Sequence, residues 1–410
     1  MRRLHYLDPQ LLGLDGHYFH YCEEAVRELS RREIPVSIRG RQGCRLVCAG
    51  VPVQPLFSRD IFQEAWSDAT IWALENYQNL NRAFLAELLQ LRPEEFSADD
   101  VVFFPSLIEN QLHGVAQWLG RLPAGQRPAV IVLLRFLNQA MDYMRARPHH
   151  ELISLHYRHA ARALLAAQPR SLLCADTAEM AAAYREITGL PVRQVPIAME
   201  PFAAGAPTAA PAAGRGATVV FLGHTSKLRG FHHLPPIIER AARELPAVRF
   251  VVQLQSRAAA QHEHLEPVLQ GLDRLAGNNL RLVEGPLPSD GYFSLLGEAD
   301  VVLLPYAPQF YGHCSSGIFA EAAAAGKVIV VPAGTVGARQ GEEYGLGVVV
   351  AAGWNPKSLG EAVVHAVRQL PALRAKATAA AGRFRQEQGA RAFWDQTLSA
   401  LPRGPVAAAA

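Results

Sequence analysis

"ATVVFLGHTSKLRGFHHLPPIIERAAREL", Ala217 to Leu245, decides the fold. A short β-branched and apolar run stops at Gly223. A loop carrying His224, Lys227 and Arg229 leads to Gly230, and a helical pattern follows. The apolar run is nearly continuous rather than alternating, as in a strand buried on both faces. The same pattern returns downstream. "VRFVVQLQ", "LRLVEG", "ADVVLLPY" and "KVIVVPAG" read as strands, and "SGIFAEAAAAG" and "SLGEAVVHAVRQL" as helices. Strands alternating with helices predict a parallel sheet covered by helices.

The half before this stretch follows the same logic. "RRLHYLDP", "IPVSIRG", "DDVVFFPSL", "PAVIVLLRF" and "SLLCAD" read as strands, with helical patterns such as "GHYFHYCEEAVRELSRRE" and "HHELISLHYRHAARALLAA" between them. Between the halves lies "PFAAGAPTAAPAAGRGA", nearly all Ala, Gly and Pro, which has the composition of a linker. A chain of 410 residues is too long for one ordinary core. The expected organisation is therefore an α/β domain over 1–200, a linker over 201–217 and a second α/β domain over 218–380. A last helix over 381–402 and a disordered tail over 403–410 complete it. Two doubly wound domains imply a cleft between them, with ligands bound beyond the carboxyl ends of the strands.

Composition excludes several classes. Hydrophobic residues are 50% and charged residues 19%, which suits a globular protein with large sheets. A net charge of +3, with no block of like charges, argues against nucleic acid as a partner. It is compatible with an anionic ligand or an anionic membrane surface. The five cysteines are odd in number and form no CxxC pair, so reduced thiols are expected and no metal site. The N-terminus lacks an apolar signal region, and no run is long enough to cross a bilayer. A cytoplasmic protein follows, with attachment to the inner face of a membrane left open.

Loops after strands are where chemistry is sought. Gly223, His224, Lys227 and Arg229 suit a diphosphate, because arginine offers a planar fork and lysine a point charge. A solvated basic loop is the plainer alternative. "PYAPQFYGHCSSGIFAEAAAAGK" follows a strand and enters a helix at about Ser316. Ser315, Ser316 and Gly317, with Ile318 beside them, leave backbone amides open to an anion. Glu321 lies one turn further in. It either accepts a pair of sugar hydroxyls or complements the helix dipole, and the pattern leaves both open. In the first half, Gly16 and His17 in "LDGHYFHY" could approach a ligand, and His17 with His20 could share a helix face. Glu109, Asn110, His113 and Arg135 end two strands toward the expected cleft and are acceptor candidates, with helix capping as the alternative.

From "ATVVFLGHTSKLRG" to "KSLGEAVVHAVRQL" the second half resembles the nucleotide-sugar-binding domain of GT-B glycosyltransferases. The similarity is to the retaining E-x7-E group, glycosyltransferase family 4-like. The first half resembles them more loosely. The resemblance implies a GT-B fold whose last helix crosses back to the first domain. It implies transfer from a nucleotide-diphosphate sugar to a hydroxyl of a glycan, polysaccharide or lipid-linked acceptor. Retention is implied, with no metal or other cofactor. Arg229 and Lys227 fall on the family's basic loop, with His224 where arginine is usual, and Glu321 matches the second motif glutamate, which holds the ribose. His313 stands where the first glutamate would be, and Arg135 where a histidine is frequent. Arg229, Lys227 and His313 are then catalytic. Gly223, His224, Ser315, Ser316, Gly317, Ile318 and Glu321 bind the donor. A non-catalytic sugar-nucleotide-binding subunit, an epimerase or hydrolase on the same fold, and a membrane-associated scaffold are the rival readings.

Overall fold

Strands with apolar residues on both faces need cover on both sides, and the structure supplies it with helices. The computed structural model describes residues 1–13, 17–59, 70–135, 150–197, 216–277 and 279–402. Gly16, the His17 side chain, residues 201–215 of the expected linker and the tail 403–410 lie outside that description. The chain forms two units, Met1–Met199 with Ala390–Ala410, and Glu200–Gly389.

The first unit contains β1 (Leu4–Leu7), β2 (Val36–Arg41), β3 (Val47–Cys48), β4 (Val51–Phe57), β5 (Val101–Phe104), β6 (Ala129–Leu133), β7 (Ser171–Ala175) and β8 (Arg193–Gln194). They form one sheet in the order β3-β4-β2-β1-β5-β6-β7-β8. All pairs are parallel except β3 with β4. The order reverses direction between β1 and β5. The hairpin of β3 and β4 was not anticipated, because Pro52 and Pro55 argue against a strand. The prolines are accommodated near the sheet edge, where β4 pairs with β2 through a register shift at Gly40 and Arg41.

The second unit contains β9 (Thr218–Phe221), β10 (Arg249–Leu254), β11 (Leu280–Glu284), β12 (Val301–Leu303), β13 (Val328–Pro332) and β14 (Val348–Ala351). Its order is β11-β10-β9-β12-β13-β14, all parallel. This is the doubly wound order with its switch point between β9 and β12. Val219 pairs with both Phe250 and Val301, so β9 lies in register between β10 and β12. β9, β12 and β13 are buried throughout, whereas the edge strands β11 and β14 are partly exposed. Phe221, Phe231, Ile237, Ile238, Val252, Leu254, Val330 and Val363 build the core against the covering helices.

The single helix expected over 381–402 is two. One runs Leu370–Glu387 and the other Ala390–Ala400, and they are separated where Gln388 turns extended at φ −122° and ψ 107° beside Gly389. Glycine is a poor helix former, and the burial pattern changes there. Phe384 is buried in the second unit, whereas Phe393 and Trp394 stack on Phe103 of β5 at centroid distances of 5.5 and 5.1 Å. Arg32 adds bonds to the Asp395 carboxylate at 2.8 Å and to the Arg391 carbonyl at 3.1 Å. The Ala390–Ala400 helix is thus part of the first unit. Among the described residues no helix is long and apolar enough to cross a membrane.

Trp394 is fully buried. Trp394→Ala should cost about 3 to 5 kcal/mol in urea unfolding. A loss below about 1 kcal/mol would mean that this helix is only loosely attached to the first unit.

Candidate functional site

In the second unit, the switch point brings the loops after β9 and β12 side by side. Gly230 has φ +69°, and a Cβ there would lie 1.9 Å from the Pro305 carbonyl oxygen. That oxygen also accepts the Trp354 indole N–H at 2.8 Å, and the Ala307 amide donates to the Leu228 carbonyl at 2.8 Å. The two loops are thereby locked together. Gly223 is held by the buried Gln253 side chain, whose Oε1 accepts its amide at 3.0 Å.

Arg229 is placed by this lock. Its Nη1 lies where a Cβ on Gly223 would be, 2.3 Å away, and Ile318 Cδ1 is 2.7 Å from the same point. At φ +104° this position requires glycine on both backbone and steric grounds. The guanidinium is partly buried against the phenols of Tyr311 and Tyr306, with the Tyr306 ring centroid at 5.9 Å. It has no ion pair with any carboxylate among the described residues. A partly buried, uncompensated cation is costly unless an anion joins it.

The helix Gly317–Ala324 starts beside it. Ser316 is the N-cap, its hydroxyl accepting the Phe319 amide at 3.2 Å. The amides of Gly317 and Ile318 have no acceptor among the described residues. Two unclaimed N–H groups next to an uncompensated guanidinium make an anion-binding corner. A small pocket of about 280 Å³, including its open mouth, adjoins it and is lined by Tyr306, Tyr311, Cys314, Ser316, Thr335 and Gln340, among others.

The other sequence candidates fall as follows. Glu321 is buried, and Tyr292 donates its phenolic hydrogen to Glu321 Oε2. Burial raises the Glu321 carboxyl and the Tyr292 bond offsets part of that rise, leaving it at about 7. Lys227 is exposed at the rim, its amide donated to the Glu263 carboxylate. His224 is also at the rim. Desolvation of its ring and then the Arg229 charge hold its pKa below the ordinary value. His313 and Ser315 are partly buried on the turn before Ser316. Sequence reasoning missed Tyr292, Tyr306 and Tyr311. The last two stack at 4.2 Å and lie within the loop before Ser316, but tyrosine in a loop carries no signal until its neighbours are known.

In the first unit, Glu109 opens the helix Glu109–Arg121 at the switch point after β5. It is 3% exposed, and its Oε2 has no hydrogen-bond partner among the described residues. Burial raises its carboxyl to about 7. Tyr157 lies beside it, and the Tyr157 and Tyr184 hydroxyls are 3.3 Å apart. Asn110 is buried next to Glu109. His113 stacks on His159 at 4.8 Å, and burial followed by the His159 charge lowers its pKa. Arg135 differs from Arg229 in being compensated. Its Nε is 3.4 Å from the Asp176 carboxylate, and its Nη2 donates to the Tyr21 hydroxyl at 2.8 Å. Among the described residues no group of three or more His, Cys, Asp or Glu could hold a metal ion.

At the level of sequence, no family model and no curated protein matches this chain. Solved structures do. A UDP-forming α,α-trehalose-phosphate synthase of Burkholderia xenovorans superposes with a TM-score of 0.69 at 16% identity, covering 98% of this chain and 99% of that one. The Anabaena protein HepE, solved with UDP and glucose, gives 0.62 at 14% over 98% and 100%. A sucrose-phosphate synthase of Thermosynechococcus elongatus gives 0.66 at 13% over 97% and 98%. At such identities the likeness speaks for the fold, and the expected GT-B class of α/β fold is the one this chain has.

Two substitutions separate the roles of the glycines. Gly230→Ala meets backbone and should destabilise the second unit by more than about 2 kcal/mol. Gly223→Ala carries the backbone strain of φ +104° but meets side-chain ends rather than backbone, so it should displace Arg229, seen as lost inorganic pyrophosphate binding, at a smaller stability cost than Gly230→Ala. Equal stability losses for the two would contradict this geometry. For Glu109, a folded-state pKa raised above its ordinary 4.5 means that stability falls as pH rises through the interval up to about 7. Glu109→Gln should therefore gain up to about 3 kcal/mol over the parent protein on going from acid to mildly alkaline pH. A pH-independent difference in urea midpoints would show the group ionised when folded.

Proposed function

We propose that this chain transfers a glycosyl group from a nucleoside diphosphate sugar to a hydroxyl of a glycan or lipid-linked acceptor, with retention at the anomeric carbon and without a divalent metal. One observation carries the reading: the uncompensated Arg229 guanidinium beside the unclaimed amides of Gly317 and Ile318. It sits at the switch point of a fold shared with proteins that form or bind UDP. The resemblance of the basic loop and the Glu321 helix to the retaining E-x7-E group points the same way.

In this reading the bond between the anomeric carbon and the phosphate oxygen breaks, and its electron pair stays with the leaving diphosphate. The acceptor hydroxyl oxygen bonds to the same carbon, and its proton passes to the departing phosphate oxygen. Arg229 and the two amides meet the negative charge as it grows, the role a metal takes elsewhere. Lys227 and His224 at the rim guide the diphosphate, and His313 contacts the transferred sugar. Glu321 holds the ribose. Glu109, Asn110 and His113 serve the acceptor. Five buried thiols suit a reducing compartment, so we place the reaction in the cytoplasm.

The test is release of nucleoside diphosphate from a panel of nucleotide sugars with and without glycan acceptors. Arg229→Ala should lower transfer by about 100-fold or more. Glu321→Ala should raise the donor KM about tenfold, with a smaller change in kcat. Near-parental rates in both variants would refute the assignment. Release that needs no acceptor would favour a hydrolase, and donor binding without turnover a binding subunit.

A further inference from the structure

The Tyr292 bond to Glu321 ties the helix Ser289–Glu298 to the helix Gly317–Ala324. At the other end, Lys327 Nζ, just past the second helix, donates to the Gly297 carbonyl at 2.8 Å. Lys327 is itself buried. The ring of Tyr292 is steadied edge-on by Phe293 at 5.3 Å, and its amide bonds to the Pro288 carbonyl at 2.9 Å. With both ends tied, the spacing of the two helices is set, and so is the direction of the Glu321 carboxylate between them.

We propose that Tyr292 is a positioning residue of the nucleotide site: its phenol claims Glu321 Oε2, leaving Oε1 to accept one hydroxyl of the bound ribose. The inference rests on the donor reading above and narrows it from a pair of ribose hydroxyls to one. The groups facing Glu321 are the phenols of Tyr292 and Tyr306, with the Arg229 charge beyond Tyr292. The Tyr292 bond supports the charged form of a carboxyl that burial raises, and with the bond in place the balance lies at about 7. Its removal therefore moves the loss of nucleotide affinity on acidification to higher pH.

The experiment is calorimetric titration of the full chain. Uridine, guanosine and adenosine 5′-diphosphates are the probes, followed by the 2′-deoxy and 3′-deoxy forms of whichever binds. Titrations are made on both sides of pH 7. The proteins are the parent, Tyr292→Phe, Glu321→Gln and the double variant. Phenylalanine keeps the ring and its packing, so the fold is retained. In the parent, one deoxy form should bind about tenfold more weakly and the other nearly as the full nucleotide. Tyr292→Phe should weaken binding about fivefold, reduce that discrimination and shift the acid limb upward. In the Glu321→Gln background the same change should have less than about a twofold effect. Unchanged or tighter binding by Tyr292→Phe, equal losses for both deoxy forms, or an undiminished effect in the double variant each overturns the inference alone. A parent protein that binds none of the three diphosphates overturns the donor reading and the inference with it.

Discussion

The backbones of Gly230 and Pro305 are in contact, and the candidate site depends on that contact. No side chain fits between them, since a Cβ on Gly230 would fall 1.9 Å from the Pro305 carbonyl oxygen. The Trp354 indole and the Ala307–Leu228 amide bond close the same seam. The loops belong to β9 and β12, adjacent strands from which the chain winds in opposite directions. A doubly wound sheet opens a crevice at such a point. Here the crevice floor is locked, so Arg229 enters it from a fixed backbone rather than from a free loop.

The two arginines at strand ends show how one residue type takes two roles. Arg135 follows β6 and is neutralised by Asp176 while lying over Tyr21 at 4.2 Å. That arrangement satisfies a buried charge within the protein and leaves little for a ligand. Arg229 has phenols around it instead of a carboxylate. Phenols supply apolar walls and hydroxyls without cancelling the charge, so the positive potential is retained for an incoming anion.

The buried acids follow a related logic. Asp8, Glu109 and Glu321 are each raised by burial to about 7; Asp8 stands just past β1, Glu109 at the start of the helix after β5, and Glu321 about one turn into the helix Gly317–Ala324. Such carboxyls cost stability above their ordinary pKa and are kept where polar groups are needed in enclosed space. Tyr292 at Glu321 and Tyr157 near Glu109 show the shared solution, a neutral donor that steadies the acid without pairing its charge.

The central strands and the two-part α/β organisation were legible because continuous apolar runs and helical patterns are local properties of the chain. β9, β12 and β13 fall where the apolar runs of "ATVVFLG", "ADVVLLPY" and "KVIVVPAG" place them. The N-cap at Ser316 was legible for the same reason. The hairpin of β3 and β4 was not, because its prolines are tolerated only through edge pairing that no local pattern announces. The helix break at Gln388–Gly389 was hidden as well, since it follows from Phe393 and Trp394 finding Phe103, nearly 300 residues earlier in the chain. At the site, the sequence by itself determined which charged and small residues stand on the loops after β9 and β12. Only the tertiary structure decided that Arg229 stays uncompensated, that Lys227 lies at the rim, and that Tyr292, 29 positions before Glu321, claims its carboxylate. Those outcomes depend on the distances between side chains remote in sequence, which the packing of one loop against another sets.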